Sequence, residues 1–306
     1  MPLLHVNGKG LSYVTLSDAL KLGNLTVSEV STQESVPDLL AVNKGDMPVL
    51  ILDGEELAGA KQNRMLNTSV LLSAHSETSI PVSCTEQGRW SYKSPNFHES
   101  GNLQPRELRT HRASHVAQSL RDSGSYRSNQ SAVWNGISRL ASDLDVRSET
   151  EAMADIYAAH STTLDDFAGA FPLTEGQCGL LIGVDGKVVG FDLVSSVDAY
   201  AQVHEKLVRS YVLDELGRPN KKRNTNTLTQ AQCQDFIESA KGITYQRFKS
   251  VGLGWDYRFS GSTQTGSALC YEESRVHMAF FGAELPEYAN RMAGRGRRRQ
   301  YRGGNE

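Results

Sequence analysis

Long apolar runs are missing from this 306-residue chain, and none of its segments approaches the roughly 20 consecutive apolar residues that a bilayer-crossing helix needs. The opening MPLLHVNGKG also lacks a basic segment followed by a long apolar one, so the expectation is a cytosolic protein with no membrane partner. Cysteine is scarce. Cys84, Cys178, Cys233 and Cys270 form no CxxC pair, which excludes a zinc ribbon and a dense disulfide framework and leaves buried free thiols as the expectation. There is no GxxxxGK[ST] phosphate loop, no GxGxxG opening a helix, no HExxH and no GxSxG elbow. Kinases, Rossmann dehydrogenases, zincin proteases and α/β-hydrolases therefore fall away. No internal repeat is visible, and no cofactor follows from the residues.

What is present is an ordinary globular composition. Hydrophobic residues make up 39% and charged residues 22%, enough for a sizeable core in one large domain or two tightly packed halves. The net charge of −3 hides an asymmetry: residues 291–306 hold six arginines and one acid, a charge of +5, leaving −8 on the rest. That Arg/Gly tail is expected to be disordered, and phosphate contacts make nucleic acid a conceivable partner for it.

Residues 1–100 read as β-rich, with one brief helix capped by Ser17 and stopped at Gly23. VLILDGEEL predicts a strand ending in a turn at Asp53-Gly54, because that dipeptide tolerates positive φ. SVLLSAHS and SIPVSCTE continue as strands. Residues 104–171 read as helical, with helices from about Gln104, over Val133 to Leu144, and from about Glu149 to Phe171. In the α/β part, 178–285, GLLIGVDGKVVGFDLV predicts a hairpin about Asp185-Gly186. Ser196 caps a helix ending at Gly217, and Thr229 with Gln232 has capping-box spacing. Hairpins outnumber βαβ crossovers, so the expected class is α+β with antiparallel or mixed sheets flanking a helical middle, in one domain over residues 1–290.

The chemistry concentrates between Pro48 and Trp90. There, Glu55, Glu56, Gln62, Asn63, Arg64, Asn67, Cys84 and Glu86 stand where a sheet needing only a core would place Val, Ile or Leu. Carboxylates accept from ribose hydroxyls and guanidinium forks bind phosphate, so Asp53, Gln62, Asn63, Arg64, Asn67, Arg89 and Trp90 are candidate ligand-binding residues. Trp90 would stack a base. Glu55, Glu56 and Glu86 are candidate catalytic residues, with Glu56 activating water toward an anomeric carbon and Glu86 assisting the leaving group. The competing reading is that these acids are solvated or pair with arginine. His111 and His115, four apart, lack a third metal ligand and stand beside Arg109 and Arg112; His75 with Glu77 is a lone HxE; His277 sits among apolar residues as a hydrogen-bonded core histidine. No metal site is expected.

LDGEELAGAKQNRMLNTSV, IPVSCTEQGRWSY, AMADIYAAH, LVRSYVLDEL and GSALCYEESRVHMAFF, between about Leu16 and Phe281, together resemble the ARG and rhodanese-phosphatase-superfamily-associated protein domain. The resemblance implies a setting in cytosolic NAD or ADP-ribose metabolism, an ADP-ribose-like small molecule as ligand, and NAD-processing enzymes as partners. It assigns no catalytic residues, and it leaves open both hydrolysis and a noncatalytic sensing or partner-binding role.

Overall fold

The computed structural model describes residues 1–4, 11–30, 37–89, 94–218 and 226–282. The first third contains β1 (Pro2–Leu4), β2 (Val14–Thr15), α1 (Leu16–Lys21), β3 (Leu25–Glu29), β4 (Asp38–Asn43), β5 (Val49–Ile51), β6 (Glu55–Gly59), β7 (Arg64–Leu66), β8 (Val70–Leu72), β9 (Ser76–Cys84) and β10 (Phe97–Leu103). The middle is helical: α2 (Arg106–Ser123), α3 (Gln130–Asp143), α4 (Met153–Ala159) and α5 (Ser161–Ala170). The last third contains β11 (Gln177–Val184), β12 (Lys187–Val194), α6 (Val197–Leu216), α7 (Gln230–Lys241), β13 (Tyr245–Lys249), β14 (Trp255–Ser260), β15 (Gln264–Tyr271) and β16 (Ser274–Gly282). The class is α+β.

Three sheets organise these strands. Seven strands run in the order β1-β11-β12-β16-β15-β14-β13, six in the order β10-β6-β7-β9-β4-β3, and three in the order β2-β5-β8. An isolated bridge between Ser28 and Asn96 brings β3 back toward β10, so the six-stranded sheet curls on itself. β9 serves both halves of that curl, pairing with β4 up to Pro81 and with β7 from Val82 onward. Strand β1 lies in the C-terminal sheet against β11, so the sheets do not follow a simple division of the sequence.

The small three-stranded sheet explains the unbroken apolar runs VLIL and VLL. Val49, Ile51, Val70 and Leu72 face one core, inside the curled sheet with Leu16, Val27, Leu39 and Ile80. Leu50, Leu52 and Leu71 face a second core, with Leu180, Tyr200, Leu207, Val276 and Phe281 of α6 and the seven-stranded sheet. A sheet buried on both faces has no polar alternation to show. Each Leu or Phe so buried contributes roughly 1.5–3 kcal/mol.

Local signals act as their chemistry dictates. Asp185 (φ 50°) and Gly186 (φ 76°) form the two-residue turn between β11 and β12. Thr229 and Gln232 form the reciprocal capping box of α7. Gly54 has φ 85°, and a Cβ there would meet Gln104 Cβ at 3.1 Å. Its turn passes the chain from the three-stranded to the six-stranded sheet.

Two expectations need correction. Thr15, not Ser17, caps α1: its side chain accepts from the Asp18 N–H, while Ser17 lies buried and donates to Glu99. The single helix over 149–171 is two, because the chain breaks at His160, which ends α4 and begins α5 ahead of the hydroxyl-rich Ser161-Thr162-Thr163.

Candidate functional site

The polar residues of the 53–89 region are nearly all inside the protein. Glu55, Glu56, Gln62, Arg64, Asn67, Glu86 and Arg89 are each no more than 6% exposed. They form separate bonded groups. The Glu56 carboxylate accepts from Thr85 Oγ1 (2.6 Å) and Asn102 Nδ2 (3.0 Å), and burial, with no cation offsetting it, pushes its pKa up. Around Glu86, its Oε2 accepts from Arg89 Nε (2.8 Å) and the Asn63 backbone N–H (3.3 Å), while Arg89 also donates to Ala60 O and to Asn63 Oδ1. Arg64 donates to Cys84 Sγ and to Gln62 Oε1 and lies 3.6 Å from Glu29. Asn67 joins Ser83 to the Tyr126 carbonyl. Trp90 lies outside the described residues.

Asp53 and Glu55 belong to a larger network that fastens the N-terminal sheets to α2, α6 and the C-terminal sheet. Asp53 takes Arg109 Nη2 at 3.0 Å and Arg112 Nη2 at 2.6 Å. Arg109, fully buried, also binds both oxygens of Asp192, to which Tyr211 donates at 2.8 Å. Burial opposes ionisation of both acids, but the guanidinium groups prevail and hold Asp53 and Asp192 below the usual carboxylate range. Burial lowers Arg112 to about 10, partly countered by Asp53. Glu55 accepts from the Leu52 N–H (2.7 Å) and from Lys206 Nζ (2.5 Å), which also bonds Glu99.

A Ser–His–Asp array lies within this network. Ser69 Oγ sits 2.8 Å from His277 Nδ1, and His277 Nε2 sits 3.4 Å from Asp192 Oδ1. Its surroundings differ from those of a nucleophile: Ser69 Oγ accepts from the Asp53 N–H, Asp192 is held by Arg109 and Tyr211, and His277 is 1% exposed. It acts as a strut between the residue that leads into β8 and strands β12 and β16.

Asp214 on α6 is a carboxylate whose titration is displaced into the neutral range. Burial pushes it up to about 7 against Arg106, whose Nε lies at 3.4 Å, and Oδ2 accepts from the Glu107 N–H at 2.7 Å. The unfolded side chain titrates near 3.9, so the native state binds the extra proton between about pH 4 and 7, and this group's stabilisation fades as pH rises through that window. Asp214→Asn is expected to flatten that part of the urea-midpoint profile; an unchanged slope would show that Asp214 is not its source.

A cleft of about 1010 Å³ opens elsewhere, between the end of α5, strand β11, helix α6 and the residues leading into α7. Phe167, Phe171, Leu180, Ile182, Val208 and Val212 supply apolar wall. Gln177, His204, Glu215, Arg218, Asn226 and Thr229 supply polar groups. Their positions are set by the fold: His204 Nδ1 takes the Tyr200 hydroxyl (2.8 Å) and Nε2 faces the Phe171 carbonyl (2.8 Å), which ties the end of α5 to α6. Arg218 pairs with Glu215 at 3.1 Å. None of the residues singled out between Asp53 and Arg89 lines this cleft.

The model of the ARG and Rhodanese-Phosphatase-superfamily-associated Protein domain matches residues 1–281. The chain belongs to this family. No curated protein and no solved structure matches it. The family domain spans all three sheets, the buried network and the cleft, and it ends one residue before β16 does. The arginines of 291–306 lie beyond it and outside the described residues.

Sequence reasoning passed over Arg109, Arg112, Asp192 and Lys206. One signal was available: Arg109, Arg112, Val116 and Leu120 fall at three- and four-residue spacings, so both arginines share a stripe with the apolar residues. His111 and His115 on the same helix are half-buried, and His75 is exposed beside Asp46. Among the described residues no three His, Cys, Asp or Glu side chains gather as a metal ion would require. Cys84, Cys178 and Cys233 are buried free thiols, and Cys270 is half-buried.

Proposed function

We propose that this family domain is a ligand-binding protein whose ligand occupies the cleft beside α5, α6 and the start of α7. The ligand is an ADP-ribose-like nucleotide, with its adenine and adjoining ribose against Phe167, Phe171 and Val208. Its phosphates lie toward Arg218 and the first turn of α7, where the helix dipole favours an anion. The observation carrying this reading is the cleft itself: about 1010 Å³, with predominantly apolar walls and a few polar side chains. Small-molecule sites are typically roughly 300–1,000 Å³ and similarly lined. In this role the protein senses or presents the nucleotide within cytosolic NAD or ADP-ribose metabolism, beside an NAD-processing enzyme. It needs no turnover of its own.

Titration calorimetry with ADP-ribose is expected to give binding in the micromolar range. Ala170→Trp, which places an indole at the mouth of the cleft, is expected to weaken it at least tenfold while leaving the thermal midpoint unchanged. No heat and no thermal shift at millimolar ADP-ribose would remove this nucleotide from the proposal.

One observation favours a catalytic reading. Glu56 is a buried carboxyl whose pKa burial raises and which forms no ion pair among the described residues, the direction of shift that a general acid uses. Under that reading Glu56 and Glu86 hydrolyse the nucleotide, with Gln62, Asn63, Arg64, Asn67 and Arg89 arranged about it. Chromatography of ADP-ribose incubated with wild type and with Glu56→Gln separates the two readings: product from the wild type alone establishes hydrolysis.

A further inference from the structure

Beyond Phe259, whose ring packs on the core residue Phe280 at 4.8 Å, the outer face of the sheet edge formed by β13 and β14 presents a pattern that neither the core nor the cleft uses. Residues of one strand that point the same way are two apart, so Tyr245, Arg247 and Lys249 share a face of β13, and Trp255, Tyr257 and Phe259 share that face of β14. The register sets them opposite one another: Tyr245 against Phe259, Arg247 against Tyr257, and Lys249 against Trp255. Asp256 and Arg258 point the other way and are buried, paired at 2.6 Å, with Arg258 also bonded to Thr68.

This face is open. Tyr245 is 57% exposed and Trp255 41%, the first being the most exposed aromatic side chain among the described residues. Arg247 lies over the Trp255 ring at 4.3 Å and Lys249 lies 5.6 Å from its centroid. Neither cation forms an ion pair with an acid among the described residues. Tyr245 and Tyr257 rings stand 5.5 Å apart. An edge strand defends itself against aggregation with exposed Lys and Arg, which accounts for the two cations. It does not account for the aromatics, since exposing Trp and Tyr beside the open edge undoes part of that protection.

Flat aromatic surfaces interleaved with cations that no acid among the described residues neutralises, on an open sheet edge, are what a single-stranded nucleic acid requires. Bases stack on the rings, and phosphates take the guanidinium and ammonium groups. The strand repeat of about 7 Å between Tyr245 and Arg247, or Trp255 and Tyr257, places ring and charge alternately along a path that an extended strand can follow. The chain leaves the same sheet nearby. Tyr245, Phe259, Gly266 and Phe280 form one cross-strand row, and Gly282 ends β16 two residues past it. The six arginines of 291–306 follow in the sequence.

We infer that the face formed by Tyr245, Arg247, Lys249, Trp255 and Tyr257 binds single-stranded nucleic acid by base stacking and phosphate pairing. The site is distinct from the nucleotide cleft and stands or falls independently of it. The test uses the full chain and fluorescein-labelled twenty-nucleotide U and dT oligomers, followed by anisotropy at several salt concentrations. Both are expected to bind, the U oligomer more tightly if a 2′-hydroxyl is contacted and equally if only stacking and phosphates matter. The Arg247→Ala/Lys249→Ala/Trp255→Ala variant is expected to bind at least tenfold more weakly. Losing two phosphate contacts should also reduce the slope of log K against log salt by about 1.4. All three positions are on the surface, so the variant's urea midpoint should match the wild type's. Absence of binding at 50 mM salt overturns the inference. Binding that survives the triple substitution but vanishes on deletion of 291–306 also overturns it, because the tail alone then suffices.

Discussion

Arg109→Met is expected to destabilise the protein by about 3–5 kcal/mol, a large share of the roughly 5–15 kcal/mol that holds a typical native state together. The side chain is fully buried and joins three elements: it leaves α2, binds both oxygens of Asp192 on β12, and reaches Asp53 in the turn before β6. Methionine fills much of the volume, so the loss reflects stranded charge more than a cavity. After the substitution one guanidinium, that of Arg112, remains for two buried carboxylates that both titrate below their usual range. Asp192 retains only the Tyr211 hydroxyl and the His277 ring, whose Nε2 is 3.4 Å away. Equilibrium urea unfolding measures the cost. The double variant Arg109→Met/Asp192→Asn should lose less than the sum of the two single changes, because removing the second charge relieves the first defect. A single-variant loss below about 1 kcal/mol would mean that water enters the network and solvates it. In the wild type the same depressed carboxylates give stability that is complete above the unfolded Asp pKa, near 3.9, and is lost as pH falls below it.

Lys206→Met should cost a similar amount, about 3–5 kcal/mol at pH 7, but with a pH dependence that identifies the cause. Lys206 Nζ sits between Glu55 (2.5 Å) and Glu99, and although burial opposes its charge, the two carboxylates keep it protonated. Without the ammonium, buried Glu55 and half-buried Glu99 face each other as like charges, and both folded-state pKa values rise, Glu55 beyond the increase that burial already gives it and Glu99 from below its usual range. A group with a raised folded pKa adds stability below the unfolded pKa and loses it as pH climbs through the folded one. The variant should therefore regain stability between pH 7 and pH 4 more steeply than the wild type, in which burial already raises Glu55 while Lys206 holds Glu99 below its usual range. A deficit that is constant across pH would assign the cost to packing instead.

These two experiments concern residues that the sequence offered no direct reason to choose. The strand and turn at LDGEEL were legible because an Asp-Gly step and an apolar run carry their own conformational preferences. The Asp185-Gly186 hairpin, the Ser196 cap and the Thr229–Gln232 capping box were legible for the same reason, since each bond closes within a few residues. The polarity of Glu55, Glu56, Arg64 and Glu86 within a strand-rich region was visible as well, and it marked side chains under unusual constraint. Their partners were not visible. Lys206 is 151 residues from Glu55, and Asp192 is 83 from Arg109. The break between α4 and α5 was missed because the apolar stripe runs through His160 while the backbone there leaves the helix.

The cleft was the least legible feature, since its walls come from α5, β11, α6 and the approach to α7, segments that individually read as ordinary amphipathic elements. The aromatic–basic face of β13 and β14 was half legible: WDYRFS alternates aromatic with charged residues, but YQRFK shows no such alternation, and only the pairing register puts Lys249 against Trp255.

By itself the sequence determined the class of fold, the local turns and caps, the absence of several enzyme motifs, and membership of a family over residues 1–281. Those are properties of neighbouring residues and of pattern. Tertiary structure alone decided which charges are buried, which carboxylate meets which cation, and where a cavity remains. Desolvation and Coulomb energy depend on distance through space, and the chain order of residues does not encode that distance.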